Sequence, residues 1–133
     1  MTKKNVTTFR STLGRVRGLG SAKSGTHEWY MMRLTALAIV LLASCPVFGL
    51  FAYAAHDGRE GALHWLKSPF AATGIILFLI VGFHHAAAGL QVIIEDYVHC
   101  KCAKSAALFF VKSFFALFAV LGIVATLKIA LGV

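Results

Sequence analysis

Three stretches of this 133-residue chain, about 31–55, 70–98 and 106–131, stay apolar for longer than a soluble fold can use. A helix rises about 1.5 Å per residue, so about 20 apolar residues cross the roughly 30 Å hydrocarbon core of a bilayer. Each stretch is long enough. Hydrocarbon offers no partners to backbone N–H and C=O groups, so such runs must satisfy them internally, as helices do. Hydrophobic residues form 59% of the chain and charged residues 14%, more apolar surface than a globule of this size hides. The expected fold is therefore all-α and membrane-embedded, with three transmembrane helices over residues 31–133 and a basic extension over 1–30 before them.

The formal net charge of +8 invites comparison with nucleic-acid binders, but its distribution answers to a bilayer. Lys3, Lys4, Arg10, Arg15, Arg17, Lys23 and Arg33 precede or open the first run, and Lys101 and Lys104 stand in the turn between the second and third. Between the first two runs, Arg59 and Lys67 are balanced by Asp57 and Glu60, and the C-terminal end carries Lys128. The positive-inside rule then expects the N-terminus and the Lys101 turn in the cytoplasm and the C-terminus in the periplasm, across a bacterial inner membrane. Basic and aromatic residues do not interleave in the extension, so no nucleic acid is expected as a partner. The acid-free first 27 residues also have the composition of an organelle transit peptide; the expectation is an uncleaved cytoplasmic extension lying against a soluble partner.

Cys45 lies inside the first run, and Cys100 and Cys102 lie on the reducing side, so no disulfide framework is expected. With His99 the latter two form H-C-K-C, three soft ligands without the fourth that a zinc site needs. Pro46 removes a backbone donor from the first run and is expected to bend it near Ser44 or Cys45. Residues 56–68 are expected to form an outer loop in which His56 and His64 have no special role. Ser68 followed by Pro69 reads as an N-cap and a first helical residue. Gly74, Gly82 and Gly89 leave room for a neighbouring helix or a flat ligand. In the third run, Lys112 and Lys128 stand near enough to its ends to snorkel.

The second run is where the chain departs from plain anchorage. His84 and His85 interrupt it, and Glu95, Asp96 and Tyr97 close it. On a helix turning about 100° per residue, Asp96 returns to within about 20° of His85, about 16 Å further along the axis. His84, Ala88, Gln91 and Glu95 follow a neighbouring stripe. An imidazole at that depth suits haem iron, since the macrocycle brings its own apolar surface and leaves only axial positions to fill. His84 points about 100° away from His85, so a second axial ligand would come from another chain. The alternative is an interhelical hydrogen bond, for either histidine.

The pattern H-A-A-A-G, a spacer, then D-Y-V (His85, Gly89, Asp96, Tyr97, Val98) resembles the H-x-x-x-G…D-Y motif of the smaller hydrophobic anchor subunit of succinate dehydrogenase, respiratory complex II, of the cytochrome b556 type. The upstream stretch G-T-H-E-W-Y-M-M-R-L-T-A is similar to the same family's pre-helix motif. The resemblance implies that His85 is an axial ligand of haem b shared with a larger cytochrome b anchor subunit, and that Arg33 and His27 lie near the haem propionates. It implies that Tyr97 bonds a carbonyl oxygen of ubiquinone and that Asp96 orients that site. It further implies an iron–sulfur subunit and a flavoprotein subunit as partners, besides the lipid bilayer. The chain is then noncatalytic alone, and completes an enzyme of the respiratory chain and tricarboxylic acid cycle. Three alternatives are a fumarate reductase anchor, a cofactor-free membrane scaffold, and a small transporter relaying ions along His84, His85, Glu95 and Asp96.

Overall fold

A computed structural model describes residue 13 and residues 25–132. The basic residues expected in the extension, Lys3 to Lys23, lie outside the described residues. Three helices follow in chain order: α1 (Gly25–Leu66), α2 (Pro69–Tyr97) and α3 (Lys101–Leu131). Among the described residues there is no strand. All three are long and apolar enough to cross a membrane. At 29 and 31 residues, α2 and α3 measure roughly 44–47 Å, matching a bilayer with its headgroup layers.

α1 continues where an outer loop was expected. Its 42 residues are interrupted only at Asp57 (φ −123°, ψ 18°) and Gly58 (φ 58°, ψ −134°), a conformation open to glycine. Beyond this break, residues 59–66 resume helix and pack back on the span. The Trp65 indole covers Gly49, where a Cβ would collide with the ring, and a Cβ on Gly61 would collide with the Tyr53 carbonyl. Residues 59–66 therefore bury an apolar face of their own, which the polar Asp57–Glu60 stretch conceals when read as a turn. Around Pro46 the backbone keeps helical angles, so the departure from helix falls at Gly58.

Gly61→Ala measures this fold-back. Alanine raises intrinsic helix propensity by about 1 kcal/mol, whereas overpacking against a fixed carbonyl costs about 1–3 kcal/mol. A lower thermal midpoint of the purified protein is expected; an unchanged or higher one would show that residues 59–66 do not rest on α1.

α2 begins as the sequence expects. The Ser68 Oγ accepts a 3.2 Å hydrogen bond from the Ala71 N–H, and Pro69 takes the first helical position, where no donor is missed. The link to α3 is shorter than expected. Val98, His99 and Cys100 alone are non-helical, so Lys101 and Lys104 belong to the first turns of α3. The Lys104 ammonium donates to the Glu95 carbonyl at 2.7 Å, placing positive charge where the α2 carbonyls accumulate negative charge.

α2 packs between α1 and α3, which scarcely touch each other. The α2–α3 seam closes tightly where Leu79 lies over Gly122, with room for a Cβ only at 2.9 Å. Phe83 and Phe115 meet across it at 6.0 Å between ring centroids. The glycines anticipated in α2 serve less as close-approach points: the nearest neighbours of Cβ positions at Gly74 and Gly89 are Cys45 Sγ at 3.7 Å and Met32 Cε at 3.9 Å, and Gly82 faces open space. Large apolar side chains remain exposed on α1 (Leu37, Leu41, Phe48) and α3 (Phe109, Phe110, Leu117), as expected of surfaces made for lipid or another subunit.

Candidate functional site

The α1–α2 seam brings residues near 27–35 beside the histidine turn of α2. Across it, His85 Nδ1 and Thr35 Oγ1 lie 2.8 Å apart, and among the described residues this is the hydrogen bond His85 makes. Thr35 also reaches back into its own helix, with its hydroxyl 2.8 Å from the Met31 carbonyl and 3.1 Å from that of Met32. His85 is half-buried, whereas its neighbour His84 is exposed. The helical period that separates the two by about 100° thus sends one into the seam and leaves the other outside it.

Two hollows flank the exposed side of α2. One, of about 310 Å³, lies against α1 and is lined by His27, Met31, Thr35 and His84 among others. The other, of about 440 Å³, lies against α3 and is lined by Phe83, His84, Gln91, Lys112, Phe115 and small alanines. His84, Ala88 and Gln91 border both hollows, so the stripe read from the sequence is the ridge between them. Lys112 does not stand near the end of its helix. With α3 starting at Lys101 it lies about 16 Å inward, on the rim of the larger hollow. At the foot of the ridge, Gln91 donates to the Glu95 carboxylate at 2.8 Å.

The remaining candidates lie toward one end of this face, where the start of α1 stands beside the last turns of α2. His27 lines the smaller hollow. Arg33 is exposed outside that hollow, its guanidinium carbon 4.3 Å from the Trp29 ring centroid, a cation–π contact within α1. Asp96 and Tyr97 end α2, both exposed, with Tyr97 78% so. No group of three or more His, Cys, Asp or Glu side chains is placed to hold a metal ion among the described residues. A haem asks less of the chain: one imidazole and an apolar wall. His85 supplies an imidazole anchored through one ring nitrogen in the α1–α2 seam, whereas the small and aromatic side chains of α2 and α3 lie around the neighbouring His84.

Two residues of this site escaped sequence reading. Thr35 stands in the quoted G-T-H-E-W-Y-M-M-R-L-T-A stretch, but a hydroxyl in an apolar helix signals only a bond back to its own turn. Nothing in the sequence pairs it with a residue 50 positions away. Lys112 was visible as a charge in an apolar run, but its place on the rim of a hollow beside α2 was not.

Residues 7–125 match the family model described as succinate dehydrogenase/fumarate reductase transmembrane subunit. A succinate dehydrogenase hydrophobic membrane anchor subunit of Rickettsia bellii is 34% identical over 119 residues, covering 88% of this chain and 90% of its own length. One of Paracoccus denitrificans is 36% identical over 93 residues, covering 69% and 70% respectively. A succinate dehydrogenase membrane anchor subunit of Reclinomonas americana is 30% identical over 95 residues, 68% of this chain and 77% of its own. No solved structure matches the chain at a significant level.

Proposed function

Since the chain belongs to the family of succinate dehydrogenase/fumarate reductase transmembrane subunits, we propose that it is the small anchor of a succinate:ubiquinone oxidoreductase, holding haem b with a larger cytochrome b subunit and forming part of the quinone site. Its expected partners on the cytoplasmic side are an iron–sulfur subunit and a flavoprotein subunit. The observation that carries the reading is the ridged face of α2. His84, Gln91 and Lys112 line hollows in helices that are otherwise apolar, and hydrocarbon cannot satisfy such groups. A mostly apolar face that carries these three polar groups calls for a second chain or a cofactor over it.

Within the assembly the chain contributes binding and orientation. His85 would hold the haem iron through a ring nitrogen, and the haem would supply a one-electron centre there. His27, on the rim of the smaller hollow, and Arg33, one turn beyond Trp29, stand at the end of α1 that the charge pattern puts in the cytoplasm, where haem carboxylates would meet cations. Quinone reduction consumes two electrons and two protons, so its site needs donors open to water. Tyr97 donates its phenolic proton in a hydrogen bond to a quinone carbonyl oxygen, stabilising the negative charge that gathers there. Asp96, beside it and exposed, passes protons from solvent. Succinate oxidation is the proposed direction, as the names of the matched relatives indicate.

Purification through this subunit tests the assembly. Retrieval of three further subunits with succinate:quinone reductase activity is the expected result; a stable isolated chain would favour a scaffold or transporter. One observation favours a second reading of the ligand. His84, not His85, borders both hollows, so His84 would be the iron ligand if haem sits in either of them.

A further inference from the structure

We infer that Thr35 is the positioning residue of the haem-ligating imidazole: its hydroxyl accepts the Nδ1 proton of His85 and thereby reserves Nε2 for iron. The inference rests on the reading of His85 as ligand. Its ground is a count of protons. Thr35 Oγ1 has three near neighbours: His85 Nδ1 at 2.8 Å, the Met31 carbonyl at 2.8 Å and the Met32 carbonyl at 3.1 Å. A hydroxyl carries one proton, and carbonyl oxygens only accept. Were that proton given to Nδ1, Oγ1 would face two carbonyl oxygens with lone pairs opposed. Directed instead at the carbonyls, it leaves an Oγ1 lone pair for an N–H. Nδ1 therefore carries the proton, and the free lone pair of the ring is on Nε2.

Four consequences follow for a ligand imidazole. The tautomer is set before the metal arrives, and the ring is held at a fixed rotation by a bond to a separate helix. The Nδ1–H bond also makes Nε2 more basic, which favours the oxidised iron over the reduced. Because Thr35 is itself tied to the Met31 turn, the α1–α2 seam and the haem ligand become one unit. The contact links residues 50 positions apart in sequence, so it is not a local by-product of helix geometry.

The test compares the intact complex carrying Thr35→Val, Thr35→Ser and no substitution, read by haem content per flavin, low-temperature spectra and redox titration of the haem. Valine keeps the branched shape without the acceptor. Thr35→Val is expected to raise the haem midpoint potential and weaken haem retention about tenfold or more; Thr35→Ser is expected to restore both. A Thr35→Val complex with wild-type potential and retention would overturn the inference, and so would a Thr35→Ser complex that behaves like Thr35→Val. Wild-type complex without b-type haem, or haem lost on His84→Ala and kept on His85→Ala, would overturn the ligand reading itself. These outcomes are separate, so the two claims fail independently.

Discussion

His85→Ala is expected to abolish the six-coordinate b-type signal in the reduced-minus-oxidised spectrum of the assembled complex, while His84→Ala leaves that signal in place. On the proposed reading of His85 as the iron ligand, a methyl group cannot replace its ring nitrogen, so the effect on ligation would be complete rather than graded. The same change removes the partner of Thr35 from the α1–α2 seam. That loss is modest by comparison: an uncharged hydrogen bond contributes about 1 kcal/mol net, and the hydroxyl retains its own carbonyl partners. Reduction of a soluble dye by succinate should therefore survive in His85→Ala membranes, which separates a missing ligand from a missing complex. Loss of the signal with His84→Ala alone would transfer the ligand to the ridge between the two hollows. A wild-type spectrum without b-type haem would leave a haemless anchor or a scaffold.

Tyr97→Phe is expected to lower quinone reduction on the order of 100-fold while leaving the haem spectrum unchanged. Removal of one preorganised donor aimed at developing charge carries that magnitude in other enzymes. The side chain is 78% exposed at the end of α2, so substitution removes little packing, and stability should change little. Succinate oxidation with a soluble acceptor should stay at wild-type level, because electrons reach that acceptor before the membrane. Unimpaired quinone turnover in Tyr97→Phe would reduce Tyr97 to an interfacial aromatic of the ordinary kind.

Both experiments depend on residues at different depths of one helix, His85 near its middle and Tyr97 at its end, and this spacing was legible from the sequence. The angle between His85 and Asp96 follows from 3.6 residues per turn, as does the separation of His84 from His85. Spacing could also mark the stripe of His84, Ala88 and Gln91. It could not tell that the stripe becomes a ridge with a hollow on each side, since that depends on where α1 and α3 lie.

Three long helices, their order, and the start of α2 at Ser68 and Pro69 were settled by the chain itself, because apolar length and capping chemistry act within a few neighbouring residues. Tertiary structure decided what happens where segments distant in sequence, or doubled back on themselves, compete for the same space. Residues 59–66 turn back along α1 because Gly58 accepts a positive φ and Gly49 and Gly61 leave room for the return. Lys101 and Lys104 lie in the first turns of α3, where Lys104 reaches a carbonyl near the end of α2. Thr35 met His85 because α2 packs against α1 with one particular face. A hydrogen bond costs little to form between groups already held close, and only the packed helices hold these two close.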